Sequence, residues 1–262
     1  MKILVPVKLV PDTSADKRID PATKRLVRTG VETVLNPFDE YAIEAALQVK
    51  EKAGADATVT IVTMAPDSGK EVVRKALAMG ADDALLLSDA GCAGSDVWGT
   101  AYALAAAIKK YGFDLVVTGT QSTDAGTGEL PGALAEYLGV PGLTYARKLE
   151  LDGTTVRVER ETDTGYQKIS APLPALVSVT KSANEPRYPS LKGIMGAKKK
   201  TIAALTLAEL ALDRPIGGDG AKTELIELAD PPARGKARIV EAADGADGAR
   251  IIVEFLKEKK LI

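Results

Sequence analysis

The residues best placed to do chemistry form one polar, glycine-rich run, Gly119-Thr120-Gln121-Ser122-Thr123-Asp124-Ala125-Gly126-Thr127-Gly128-Glu129-Leu130-Pro131. It follows an apolar segment and leads into helical spacing. Glycines let a backbone approach a ligand closely, and the unpaired N–H groups and dipole of a helix start favour phosphate. On composition alone, a polar loop that merely caps its helix is the other reading. A second cluster, Asn36-Pro37-Phe38-Asp39, opens a long helical segment. Asn36 and Asp39 have the side chains of helix caps. In a functional reading, Asn36 hydrogen-bonds an adenosine and Phe38 turns an aromatic edge to a flavin. Met64-Ala65-Pro66 offers either an apolar wall for an adenine or plain core packing, and Asp12 and Thr13 suit a turn.

Other chemistries are excluded. There is no histidine and a single cysteine, Cys92. Ser-His-Asp and Cys-His machinery therefore cannot be built here, nor can an internal disulfide or a cysteine-ligated zinc site. Such a chain suits ligand binding, or redox chemistry carried by a bound cofactor. No catalytic residue and no metal ligand is assigned.

These residues need a scaffold, and the first two-thirds of the chain supplies one by alternation. Apolar runs at Ile3–Val7, Thr58–Val62, Ala84–Leu87 and Asp114–Thr118 read as strands. Between them lie amphipathic stretches: Phe38–Lys52, one after Ser68 stopped by Gly80, and one capped by Ser95-Asp96 and ending near Gly112. A further helix spans about Pro131 to Leu138. This pattern predicts an α/β fold with a mostly parallel, doubly wound sheet of flavodoxin-like layering. Ligands on such sheets bind beyond the carboxyl ends of strands, here after Val7, Thr63 and Thr118. Leu143–Leu151, Thr155–Arg160 and Tyr166–Ser170 predict an antiparallel extension with turns at Asp152-Gly153 and Asp163-Thr164-Gly165. Leu176–Val179 ends the series.

The expected organisation is a nucleotide-binding domain over 1–182, a loop over 183–200 and an extended C-terminal arm over 201–262. In the loop, Tyr188 and Leu191 stand as apolar anchors in a polar segment, which suggests docking; a tuck into the core is the alternative. Lys198-Lys199-Lys200 reads as a solvated charge run. In the arm, a short helix at Leu207–Leu212 and an amphipathic one at Ala249–Lys259 flank Pro231-Pro232 and a Gly- and Ala-rich stretch.

The chain has 262 residues, 45% hydrophobic and only 4% aromatic, with a net charge of −2. This is ample for one core and too apolar for global disorder. The balanced charge predicts no nucleic-acid partner. No apolar run is long enough to span a bilayer and no signal-peptide core is seen, so a cytoplasmic location is expected.

The segment Asn184-Glu185-Pro186-Arg187-Tyr188-Pro189-Ser190-Leu191-Lys192-Gly193-Ile194-Met195-Gly196-Ala197-Lys198-Lys199-Lys200 resembles the recognition loop of the electron transfer flavoprotein β-subunit family. Leu35-Asn36-Pro37-Phe38, Lys75–Asp82 and Val158–Asp163 are similar to that family as well. The resemblance implies a heterodimer with an α subunit that carries most contacts to a redox-active FAD. The β chain would hold a structural AMP and have no catalytic site of its own. By position, Pro6, Asn36, Pro37, Phe38, Asp39 and Met64 fall in the AMP pocket, with Asp124, Ala125, Gly126, Thr127, Gly128, Glu129 and Leu130. Phe38 lands near the flavin ring. Thr13 stands where some members have tyrosine, and Gln167 replaces a glutamate found in some members. Tyr188, Leu191, Ile194 and Met195 fall on the docking segment for acyl-CoA and related flavin dehydrogenases. The electrons would pass on to a membrane quinone oxidoreductase, and the arm would pack on the α subunit.

Two departures bear on this. Pro131 withholds one N–H and Glu129 adds a charge that phosphate disfavours, so the grip should rest on backbone donors from about Ala125 to Leu130. Val10-Pro11-Asp12-Thr13 is similar to electron-bifurcating members, which hold a second FAD in place of AMP. A stand-alone nucleotide-binding regulator of the universal-stress type is a third reading, but it has no use for the basic docking segment. An ATP-cleaving ligase would need a Ser-Gly-Gly-type loop after the first strand, which is missing.

Overall fold

A computed structural model describes residues 1–28, 30–227, 232, 233, 235 and 237–262. The chain forms two compact units, Met1–Leu225 and Ile226–Ile262. In the first, the elements follow as β1 (Lys2–Pro6), β2 (Leu9–Pro11), β3 (Ile19–Asp20), β4 (Arg25–Leu26), β5 (Thr33–Leu35), α1 (Pro37–Ala53), β6 (Thr58–Met64), α2 (Lys70–Met79), β7 (Asp83–Leu87) and α3 (Val97–Tyr111). Then come β8 (Leu115–Gly119), α4 (Leu130–Leu138), β9 (Gly142–Asp152), β10 (Thr155–Thr162), β11 (Gly165–Pro172), β12 (Ala175–Val179), α5 (Leu191–Lys199), β13 (Ile202–Leu205) and α6 (Leu207–Leu210). The second unit contains α7 (Gly245–Glu258).

Nine strands form one sheet in the order β11-β10-β9-β12-β8-β1-β6-β7-β13. The strands from β9 to β13 in that order run parallel, and β10 and β11 extend them antiparallel. Successive side chains on a strand point to opposite faces. Accordingly Ile3, Val5, Leu115 and Val117 pack with α1 and α2, while Leu4, Val62 and Val116 pack with α3 and α4. Because α1 and α2 cover one face and α3 and α4 the other, the winding reverses between β1 and β8. Such a reversal splays the connections apart and opens a crevice at the carboxyl ends.

Several expectations change. The sheet gains β13, parallel to β7 through Ile202↔Ala84 to Leu205↔Leu87, which alternation had not marked beyond Val179. The first unit therefore continues to Leu225, past both the core-domain end at 182 and the arm start at 201. The segment around Leu191 is a helix rather than a loop. Ser190 caps it, accepting from the Gly193 N–H at 3.0 Å, and Gly193 and Gly196 had hidden its periodicity. The lysine run is not wholly solvated, since Lys200 donates to the Ala81 carbonyl. Pro231, part of the expected break in the arm, lies outside the described residues. Within the second unit, Asp244 caps α7 by accepting from the Asp247 N–H at 2.8 Å, and α7 buries none of its residues. No helix among the described residues is long and apolar enough to cross a membrane.

Candidate functional site

The crevice is built from the ends of β1 and β8. Pro6 closes β1 and is buried; Lys8 follows it; Asn36 and Asp39 enter from the start of α1. Neither Asn36 nor Asp39 caps the helix. The Asn36 amide instead clasps the loop after β8. Its Nδ2 donates to the Gln121 carbonyl at 2.9 Å, and its Oδ1 accepts from the Thr123 N–H at 3.2 Å. Local sequence favours capping because the N-cap position is right; the tertiary contact wins because the loop would otherwise leave its own polar groups unmatched beside a side chain only 1% exposed.

Asp39 accepts from the Lys8 backbone N–H at 2.8 Å. Burial pushes its carboxyl up to about 7, against the pull of that hydrogen bond. Asp124 behaves oppositely. Burial disfavours its charge, but Lys8 Nζ at 2.7 Å and Arg28 at 2.5 Å outweigh burial and hold the carboxyl well below the usual range. Lys17 Nζ also donates to the Thr123 carbonyl at 3.2 Å. Three cations thus gather around this loop, with Asp124 bridging two of them.

The loop then turns into α4. The Gly126 N–H bonds the Ser122 carbonyl and the Ala125 N–H bonds the Asp124 carboxylate, so these two donors are spent internally. That narrows the expected set of phosphate donors. Among the described residues, the N–H groups of Thr127, Gly128, Glu129 and Leu130 have no acceptor. Glu129 sits at the helix N-cap with no side-chain cap bond, and Pro131 is buried in the first turn. Two hydroxyls nearby, Thr118 Oγ1 at the end of β8 and Thr123 Oγ1 in the loop, are buried without a partner. A buried, unmatched hydroxyl costs ~1–3 kcal/mol. A polar ligand with a sugar and a phosphate would satisfy such groups, so the donors present fit a nucleotide.

Among the remaining expected residues, Pro37 and Phe38 are half-buried in the first turn of α1, with no room at Gly119 for a side chain between them and β8. Met64 ends β6, one strand beyond β1, and packs partly into the α3 side of the core. Asp12 accepts from Ser14 N–H as a local turn, and Thr13 is exposed. Gln167 faces Arg160 across the outer antiparallel strands. Lys8, Arg28 and Thr118 were not singled out from the sequence, and Thr123 stood there only as part of the glycine-rich run. A threonine ending an apolar strand was a visible signal for Thr118, whereas nothing local marks Arg28.

The docking residues lie elsewhere, on α5. Leu191, Ile194 and Met195 fall at i, i+3 and i+4, on one helical face, and are 77%, 42% and 60% exposed; Tyr188 just ahead is 93% exposed. They are not tucked into the core. The segment leading to them is clamped to α1. Arg187 forks onto the buried Glu44 at 2.7 and 3.0 Å and reaches Glu51 at 2.6 Å, and Asn184 Nδ2 donates to the Tyr41 carbonyl at 3.0 Å.

Comparison with known proteins agrees in one direction. Residues 23–210 match a family model described as the electron transfer flavoprotein domain. A Megasphaera elsdenii protein named electron transfer flavoprotein subunit beta is 42% identical over 267 residues, spanning 99% of this chain and 97% of its own. The subunit of that name from Mycobacterium tuberculosis is 42% identical over 264 residues, 99% of each chain. The caffeyl-CoA reductase-Etf complex subunit CarD of Acetobacterium woodii is 38% identical over 265 residues, covering both chains fully.

Proposed function

The chain belongs to the electron transfer flavoprotein β-subunit family, and from that premise we propose that it is the nucleotide-holding half of a two-chain electron carrier. In this reading an AMP occupies the crevice between β8 and β1. Pro6, Asn36 to Asp39 and Met64 border it, and the loop from Asp124 to Leu130 meets its phosphate. The partner α chain holds most of a FAD, with Phe38 of this chain at its edge, and that FAD accepts and releases the electrons when bound. This chain's own residues bind, orient and support. A ligand that binds the folded state alone stabilises it by mass action, which gives AMP a structural role.

The exposed face of α5, with Tyr188, Leu191, Ile194 and Met195, is the docking surface for flavin dehydrogenases such as those acting on acyl-CoA, and electrons leave toward a quinone oxidoreductase. A small apolar anchor on a clamped segment suits a partner that must be released quickly. The arm, with Ile252, Phe255, Leu261 and Ile262 exposed, packs on the α chain. A stand-alone regulator would leave these apolar groups without a use.

The observation that carries the nucleotide reading is the pair of buried, partnerless hydroxyls, Thr118 and Thr123, beside the free amides of the loop. The test is to purify the chain with its α partner, denature the pair and separate the released nucleotides. About one AMP and one FAD per heterodimer is the expected result. A colourless pair that releases neither overturns the reading.

A second reading is favoured by the full-length similarity to a subunit of a caffeyl-CoA reductase complex. It makes the partner a CoA-ester reductase and places a second FAD in the crevice. Release of two FAD and no AMP decides for it.

A further inference from the structure

β9 carries a conformational irregularity that the nucleotide reading does not use. Leu143 and Ala146 are both buried in the core under α1, although residues three apart on a regular strand point to opposite faces. The strand solves this with a bulge. Val177 pairs with Leu143 and Val179 with Ala146, so Thr144 and Tyr145 together face Ser178. Tyr145 takes the left-handed backbone, φ 58°, a seat that a bulge normally gives to glycine. An aromatic residue there is strained, and the surroundings lock it in place. The Tyr145 N–H donates to Oγ of the fully buried Ser178 at 2.9 Å, and the Thr144 carbonyl accepts from Arg160 at 3.0 Å.

The phenol this strain holds out stands against the nucleotide loop. A Cβ added at Gly128 would lie 3.1 Å from the Tyr145 hydroxyl, and Gly128 is itself left-handed at φ 68°. Tyr145 is 46% exposed, and its hydroxyl bonds no described residue. Burial in the core therefore does not explain the tyrosine, and glycine would serve the bulge at lower cost. Strain of this kind persists where the arrangement it holds is useful.

We propose that Tyr145 is a positioning residue of the nucleotide site: the bulge turns its phenol onto Gly128, where it props the stretch from Thr127 to Leu130 so that its free amides stay aimed at the ligand. The inference rests on the reading of the crevice as a nucleotide site. It predicts a separation between stability and binding. Replacing Tyr145 with glycine relieves the backbone but removes the prop, whereas phenylalanine keeps the strained backbone and the ring and loses the hydroxyl that meets Gly128.

The test uses the purified heterodimer stripped of loosely held nucleotide and titrated with AMP, or with FAD if the native pair releases FAD instead. Tyr145→Gly should bind at least tenfold more weakly, while the nucleotide-free heterodimer melts at or above the wild-type temperature. Tyr145→Phe should also bind more weakly than wild type, by no more than Tyr145→Gly, without the gain in melting temperature. Glycine-variant affinity within twofold of wild type overturns the proposal. So does a parallel loss of affinity and melting temperature, which marks a packing residue. A phenylalanine variant that binds as tightly as wild type also overturns it, because the hydroxyl is the atom that meets Gly128. Wild-type protein that binds neither nucleotide refutes the underlying reading instead.

Discussion

Asp39 is a carboxyl that the fold keeps protonated until nearly neutral pH, with an amide hydrogen bond from Lys8 that burial overrides. An unfolded chain gives up this proton near 3.8, and the folded chain holds it to about 7. Between those values the folded state binds the extra proton. This group's contribution is therefore most favourable in acid and declines as pH rises toward 7, by on the order of a few kcal/mol. Asparagine keeps an acceptor for the Lys8 amide and has no proton to lose. Melting curves of the heterodimer between pH 5 and 8 should show a flatter decline for Asp39→Asn than for wild type, with the variant more stable at pH 8. Parallel slopes would remove Asp39 as the source. Asp124 works in the reverse sense, since Lys8 and Arg28 stabilise its charged form. Neither behaviour is visible in sequence: both residues look like ordinary loop or helix-start acids, and only their distant neighbours set them apart.

At the scale of elements, α5 depends on a close approach. A Cβ on Gly193 would come within 2.3 Å of the Ala78 carbonyl, the last turn of α2. Arg74 from α2 donates to the Ala197 carbonyl and, at 2.9 Å, to that of Lys200, so the far end of α5 is stapled to the same helix. Gly193→Ala must lift α5 from α2, at a cost of ~1–3 kcal/mol. The exposed face of Leu191, Ile194 and Met195 would move with it. Under the carrier reading, Gly193→Ala and Leu191→Ala should both slow flavin reduction by a dehydrogenase while leaving the flavin content of the heterodimer unchanged. Unaltered reduction kinetics in both variants would take docking away from this helix. Here the motif residues were legible, but their helical form was not, because two glycines broke the apolar spacing and the packing on α2 restored the helix.

For the whole molecule, the first unit ends in a strap rather than at the last strand. The Gly217 N–H donates to Ser95 Oγ at 2.9 Å, and the N–H groups of Lys222 and Thr223 share Asp96, the residue that also caps α3. These contacts carry the unit to Leu225. A chain truncated after Leu225 should still unfold cooperatively, within a few degrees of the full-length chain, yet fail to co-purify with the α partner. Calorimetry of the truncated chain and a pull-down check the two halves. Loss of cooperative unfolding would show that the second unit supports the first, and undiminished co-purification would show that the arm is dispensable for pairing.

The sequence by itself determined the layered α/β class, strands β1, β6, β7 and β8, helices α1 to α4, and the antiparallel extension with its turns, but not the short strands β2 to β5. Period-two and helical spacing report which face of an element is buried, and those signals are local. The motif around Asn184–Lys200 also pointed to the family that the comparisons then showed. Tertiary structure alone decided the rest. It placed β13 on the β7 edge, made Asn36 a clasp instead of a cap, brought Lys8 and Arg28 onto Asp124 and turned Tyr145 onto Gly128. Each of these joins residues far apart in the chain, where the free energy of closing a contact depends on the packed fold and leaves no periodic trace.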